Sequence, residues 1–307
     1  MWSLFEYFKS KKQKETVFME NVKRLVNAND VYKFGYSGKG VRIALLDTGV
    51  AYHQELENRI IYFKDYVNNR LNAYDDNGHG THIAGIICGK NCGMAPQAEL
   101  LVFKILDNKG NGRTQDAVKA LQWIQEHHRK YNIRILNFSM GYMPNANVKM
   151  QEKLLEMLDR LWDEGVIVIT AAGNNGPKEN TITVPGISRK VITVGVSDEV
   201  EGKADGEGNY GSQGPTSCCI VKPEILAPGT EVLSLSNLNN QYTRKSGTSM
   251  AVPVVSGTLA LAVEKRSDIR PVEIKLLLYD SVKRQDKSGK KNKVWGVLDV
   301  DNLMKML

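Results

Sequence analysis

Short apolar runs alternate with longer stretches of helical period along this 307-residue chain. The runs fall at Val41–Leu46, Leu100–Ile105, Ile135–Phe138, Val166–Thr170 and Val191–Val196. They are short and unbroken, as strands buried on both faces are. Thr114 to Lys130 has helical period, with Ala117, Leu121 and Ile124 on one face and Thr114 placed as N-cap. Leu154, Leu155, Leu158, Leu161 and Trp162 mark a second helix, and Gly165 stands where a C′ glycine would end it. Pro271 to Val282 reads as a third. Ser197 to Gln213 is Gly-rich, acidic and weakly patterned, which predicts a surface loop. The alternation predicts an α/β fold, a three-layer αβα sandwich with a mainly parallel central sheet. No repeat or linker divides the chain, so residues 21–307 read as one domain behind an arm of residues 1–20.

Composition narrows the classes. A hydrophobic content of 42% over this length is enough for a large core. The net charge is +7, from 41 Lys and Arg against 34 Asp and Glu. Part of the excess is local, at Lys9, Lys11, Lys12 and Lys14 and at Lys287, Lys290, Lys291 and Lys293. These runs read as solvated basic surface. Nucleic-acid binding would need aromatic interleaving or a known module, and neither is present. No stretch of 18 apolar residues offers a membrane span. Met1 to Phe8 lacks the basic and apolar regions of a signal peptide. A cytoplasmic protein is expected, with export by a leaderless route as the alternative. Cys218 and Cys219 are adjacent and Cys88 and Cys92 lack C-x₂-C spacing, so free thiols are expected over a disulfide framework or a zinc site. In the arm, Trp2, Phe5 and Phe8 recur at a spacing of three beside the lysines. Packing on the body is the plainest reading; cover for a cleft or contact with an anionic membrane are the others, and membrane is not favoured.

The candidate chemistry is concentrated in a few short motifs. Ser249 lies in Ser246–Pro253, ahead of an apolar helical run from Ala251 to Val263. Pro253 belongs in a first helical turn, which would start the helix close to Ser249. A hydroxyl there meets free N–H groups and a dipole that favour developing negative charge. Such a serine can be a plain N-cap, or a nucleophile if a base is at hand. His79, between Gly78 and Gly80, is a candidate base, and Asp47, at the end of the first strand, a candidate acid to orient it. Ser139 and Asn174 also follow predicted strands. In an open parallel sheet the crevice lies outside the carboxyl ends of the strands, so Asp47, Ser139 and Asn174 should share one edge. His79 and His82 lack the i,i+4 spacing and intervening Glu of a zincin, and Asp47-Thr48-Gly49 has no second copy to form an aspartic-protease pair.

The order Asp47, His79, Ser249 is that of subtilisin. With Asp47-Thr48-Gly49, His79 to Gly85, Ser139-Met140-Gly141, Ala171-Ala172-Gly173-Asn174 and Gly247 to Pro253 in register, the chain resembles the subtilases, the subtilisin-like serine endopeptidases. The resemblance implies a triad of Asp47, His79 and Ser249, with Asn174 as oxyanion donor. It implies substrate pairing with Ser139-Met140-Gly141 on one side and Gly110-Asn111-Gly112 on the other, and a pocket bounded by Met140, Ala171 to Gly173 and Thr183. His82 would be structural. A protein or peptide is the implied substrate, cleaved in degradation or in processing of a precursor; a non-catalytic peptide-binding protein on the same scaffold is the alternative. The chain is most similar to the prodomain-poor intracellular branch, because the core pattern begins near Val26. The Ile86–Gly93 loop carries no carboxylate and lacks the calcium-binding insertion of secreted relatives. No cofactor is expected, beyond weak Ca²⁺ at the acidic Asp198–Glu207 loop. Asp75 and Asp76 are expected to hold the histidine loop. Val252 and Gln213 stand where many relatives have Thr and Arg.

Overall fold

A computed structural model describes residues 20–142, 148–197, 210–216, 220–284 and 294–307. Residues 1–19 and the acidic 198–207 stretch lie outside the described residues, as do Cys218, Cys219 and the second lysine run. The helices are α1 (Asn29–Lys33), α2 (His79–Cys88), α3 (Thr114–Tyr131), α4 (Val148–Asp163), α5 (Thr248–Lys265), α6 (Pro271–Ser281) and α7 (Val300–Met306). Eight strands form one parallel sheet: β1 (Arg42–Asp47), β2 (Ile60–Asp65), β3 (Glu99–Lys104), β4 (Ile133–Phe138), β5 (Ile167–Ala171), β6 (Ile192–Val196), β7 (Ile225–Ala227) and β10 (Gly296–Val297). Between the last two, β8 (Val232–Leu235) and β9 (Tyr242–Lys245) make a separate antiparallel hairpin.

The spatial order is β10-β7-β6-β5-β4-β1-β3-β2. The chain leaves β1 toward β3 and β2, then returns past it to build β4 through β10. That places the reversal of winding between β1 and β4, where the crevice of a doubly wound sheet opens. Leu46 of β1 pairs with Phe103 on one side and Phe138 on the other, so Asp47 and Ser139 emerge side by side.

Helix α5 lies across β4 to β7 and packs against α2. All its residues are buried except Ser249, Glu264 and Lys265. Its sequence is accordingly apolar all round, as a central helix must be. Ser256 of α5 donates to Asn137 Oδ1 of β4 at 2.8 Å. Side chains alternate along a strand, so Leu136 and Phe138 point to the other layer, where α3 and α4 pack. The predicted strands and helices lie within a residue or two of these elements. Two corrections follow from geometry. Arg113, not Thr114, is the N-cap of α3, and no side chain caps it. Pro253 is inside α5, five residues beyond Thr248, rather than in its first turn. The edge strand β2 and strands β7 to β10 had no clear apolar run: β2 is half exposed and β10 has two residues.

Candidate active site

Asp47 ends β1 with no exposure to solvent. Its Oδ1 accepts from the Thr48 amide at 2.7 Å and lies 2.7 Å from His79 Nδ1. His79 is the first residue of α2, behind Gly78 at φ +96°. Its loop is fixed by Asp75, as expected from the sequence. That carboxylate accepts from the amides of Asn77, Gly78 and Thr81, from the Thr81 hydroxyl and from Thr48 Oγ1, at 2.6 to 3.0 Å. Burial pushes the Asp75 carboxyl up, but these bonds outweigh it and hold it below the usual range. Gly80 must be glycine: a Cβ there would come within 2.1 Å of Gly49 O and 3.2 Å of Asp47 Oδ1. Burial lowers the basicity of His79, but the Asp47 charge and hydrogen bond overcome this, and the imidazole is raised above its ordinary value.

Ser249 is the second residue of α5. In this structure its Oγ donates to the Ser139 carbonyl at 2.7 Å, not to His79. Ser139 follows β4 and Asp47 ends β1, so the serine and the imidazole hang from adjacent strand ends. Asn174 follows β5; its Oδ1 accepts from Thr248 N at 3.0 Å and Thr248 Oγ1 at 3.1 Å. The carbonyl side of the amide is thereby taken up, and the NH₂ side remains as a donor next to Gly247, where a Cβ would lie 3.2 Å from Nδ2. Thr183 closes one wall: a Cβ on Gly141 would come within 2.0 Å of its Oγ1, and one on Gly173 within 2.6 Å of its Cγ2. A Cβ on Gly112 would lie 3.7 Å from Met140 Cε. Gly110, Asn111 and Gly141 are exposed, and neither 110–112 nor 139–141 forms a strand of the described sheet. The predicted constellation is therefore brought to one edge, flanked by 139–141 and by 110–112, the latter turned back on itself by the Asp107 N to Asn111 O bond at 2.8 Å and an antiparallel bridge between Leu106 and Gly112.

The description of the Subtilase family matches residues 38–296, most of the chain. The chain is a subtilase. It is 37% identical over 281 residues to "Serine protease AprX" of Bacillus subtilis (strain 168), covering 82% of this chain and 64% of that protein. The chain thus spans about two thirds of that relative's length. Subtilisin DY of Bacillus licheniformis is 31% identical over 249 residues, 78% of this chain and 83% of its own. Among solved structures, a cold adapted subtilisin-like serine proteinase superposes with a TM-score of 0.69 at 27% identity over 85% of this chain and 90% of its own. Sphericase gives 0.71 at 28% over 80% and 84%.

Two features of this subtilase carry no sequence signal of their own. Lys104, at the end of β3, is fully buried. Its ammonium donates to Thr48 O at 2.6 Å, Asp76 Oδ1 at 2.8 Å and Leu106 O at 2.8 Å. It ties together the acid loop, the histidine loop and the chain leading to Gly110. Asp76 therefore acts on the histidine loop through Lys104, where the sequence suggested hydrogen bonds of its own. The second is Glu55. It accepts from the Asn91 amide and side chain, both at 2.6 Å, and from the Tyr242 hydroxyl at 3.2 Å. A carboxylate from outside the 86–93 loop thus reaches it and is occupied there. Elsewhere, His82 Nε2 lies 3.0 Å from Val232 O and 3.2 Å from Thr243 O, joining α2 to the β8–β9 hairpin. Burial drops its pKa to about 3. Cys88 and Cys92 are buried free thiols, and burial pushes Cys88 up to about 12. Among the described residues, no group of three or more His, Cys, Asp or Glu side chains is placed to hold a metal ion, and no helix is long and apolar enough to cross a membrane.

Proposed function

We propose that this subtilase is a serine endopeptidase acting through Asp47, His79 and Ser249. The observation that carries the reading is the 2.7 Å Asp47–His79 pair at the end of β1, with Ser249, at the head of a buried helix, bonded to Ser139 at the end of the adjacent strand β4. His79 Nδ1 keeps its proton against Asp47, so Nε2 is the base. It takes the proton of Ser249 as Oγ attacks the scissile carbonyl, and later returns it to the leaving amine. Attack requires the Ser249 hydroxyl to leave the Ser139 carbonyl and turn toward His79. The oxyanion forms against the Asn174 amide and the start of α5. Water then hydrolyses the acyl-enzyme. The substrate chain adds as a strand between 110–112 and 139–141. Its residue before the cut enters the pocket at Met140, Ala171 to Gly173 and Thr183, where no carboxylate would select a basic side chain.

The setting we infer is cytoplasmic protein degradation or precursor processing, with no cofactor required. A non-catalytic peptide-binding role is not favoured, because no triad residue is missing. Active-site labelling with a fluorophosphonate tests the proposal. Wild type should label and Ser249→Ala should not; equal labelling of both, or none of either, would overturn it.

A further inference from the structure

The cleft continues into a basic cavity. Gly110 lies beside the histidine loop, where a Cβ would be 3.8 Å from Asn77 Nδ2. Ser139 holds the Ser249 hydroxyl. The two flanking segments therefore both start at the reacting atoms and lead away from them, one to Gly112 and Arg113, the other to Gly141 and Tyr142. Where the first ends, α3 and α4 enclose a surface cavity of about 620 Å³. Arg113, Lys119 and Lys153 line it, with Gln115, Gln122 and Met150, and no carboxylate does. One anion lies close by: Asp116, 2% exposed. Arg113 Nε is 2.8 Å from its Oδ2 and Lys119 Nζ 3.7 Å from its Oδ1. It balances one of the three cations and leaves two. Arg113 and Lys119 remain 72% and 50% exposed, so their charge faces the opening.

We propose that this cavity is an acidic-residue subsite: it receives Asp or Glu side chains of the substrate several residues before the scissile bond. The inference rests on the peptidase reading, because that reading sets the path of the substrate chain. It adds a preference for substrates with an acidic stretch upstream of the cut. Each exposed pair contributes little alone, and two or three together give about a five- to tenfold preference at low salt. The cations also steer an acidic segment into the cleft, an effect that salt screens.

The test uses internally quenched peptides alike except at the fifth and sixth residues before the cut, which are Glu-Glu, Gln-Gln or Lys-Lys. Binding is measured as Kd with the Ser249→Ala protein, and kcat/KM with the wild type. Expected is a Glu-Glu over Gln-Gln preference of about five- to tenfold in Kd and KM, with kcat little changed, shrinking at about 0.5 M salt. In Lys119→Gln/Lys153→Glu the ratio should fall to about one or below. Arg113 is kept there because it is the nearer partner of Asp116. Lys153→Glu alone, away from Asp116, should move the ratio the same way if the double variant folds poorly. Equal binding of the Glu-Glu and Gln-Gln peptides, or a ratio unmoved by Lys153→Glu, would overturn the subsite. A Glu-Glu preference in Kd without turnover by wild type would instead overturn the peptidase reading and leave the subsite standing.

Discussion

Asp47 Oδ1 faces His79 Nδ1 at 2.7 Å, which keeps the proton on that nitrogen and leaves Nε2 for the role of base proposed for it. Removal of the nucleophile or the base should nearly stop the reaction. Ser249→Ala and His79→Ala are each expected to lose about 10⁶ in kcat, and the double variant no more, because the residues act as a unit. Asn174→Ala should lose roughly 10²–10³. Both magnitudes are subtilisin's own. Turnover by purified His79→Ala near the wild-type rate would contradict the assignment. The pH profile carries a sign. Burial lowers His79 but Asp47 raises it further, and the base must be neutral to work. kcat/KM should therefore fall with falling pH through a limb above the ordinary histidine value of about 6.5. In Asp47→Asn that limb should move down, with kcat lower by about 10⁴. The two histidines of α2 also act oppositely on stability. Protonated His79 stabilises the fold below about pH 6.5, and this is lost as pH rises through its raised folded value. His82 stays neutral down to about pH 3 in the fold, whereas the unfolded chain takes up a proton near 6.5. Stability from His82 is thus present above about 6.5 and is lost going down toward 3, by about 1.4 kcal/mol per pH unit. Urea unfolding of wild type and His82→Gln between pH 7 and pH 4 checks this: the variant starts less stable and should show the shallower slope.

At the scale of elements, chain ends decide where side chains arrive. Helix α4 stops in a Schellman arrangement around Gly165 at φ +98°. Val166 N donates to Leu161 O at 2.9 Å and Gly165 N to Trp162 O at 3.1 Å, which turns the chain straight into β5 and so toward Asn174. The glycine and the apolar face were legible in the sequence because both are local. Pro253 was misleading for a physical reason. It removes one α5 hydrogen bond, to the Ser249 carbonyl, and burial of almost the whole helix offsets that loss. At the opposite edge of the sheet, β6 and β7 are joined by a buried cluster. Lys222 and Lys275 lie 2.7 and 2.8 Å from Glu224 Oε1, and Thr193 N donates to Oε2 at 2.9 Å. Burial lowers Lys222 to about 8 although Glu224 opposes this. Glu224→Ala would leave a buried ammonium without its counterion and should cost about 3–5 kcal/mol in urea unfolding. Lys222→Met/Glu224→Leu should recover most of it. Equal losses in the single and double variants would show that packing, not charge, is what the cluster supplies.

At the scale of the whole molecule, the question is what besides the core holds the loops. The 86–93 loop is anchored through Asn91 to Glu55, with Lys90 N donating to Glu55 O at 2.9 Å. A carboxylate with both oxygens so engaged is not available as an ion ligand without breaking those bonds. Any calcium effect should then trace to Asp198, Glu199, Glu201, Asp205 and Glu207. A tight site would add roughly 3–4 kcal/mol at saturating Ca²⁺. The expected result is a small chelator-induced drop in Tm that disappears when those five acids are neutralised. A large drop that survives their neutralisation would place an ion elsewhere.

The sequence alone determined the features written in local pattern. Buried strands need unbroken apolar runs, helices need a 3.6 period, and sharp turns need glycine, so β1, β3 to β6 and α3, α4 and α6 could be read directly. The places of Asp47 and Asn174 after strands and of Ser249 at a helix start could be read too, from local apolar runs and turn residues, whereas their roles came from the resemblance to the subtilases. Tertiary structure decided what depends on segments far apart in the chain. The hold of Lys104 on Thr48 and Asp76 joins residues up to 56 positions apart. The Glu55–Asn91 contact and the support of His82 by two strands of a hairpin have no periodic or compositional trace. The rotamer of Ser249, turned to the Ser139 carbonyl, likewise depends on where β4 ends beside α5. The basic cavity exists only because α3 and α4 pack side by side, bringing Lys153 to the same opening as Arg113 and Lys119. A sequence specifies such a contact only through the fold, since the charges that meet there are indistinguishable along the chain from those on any solvated helix face.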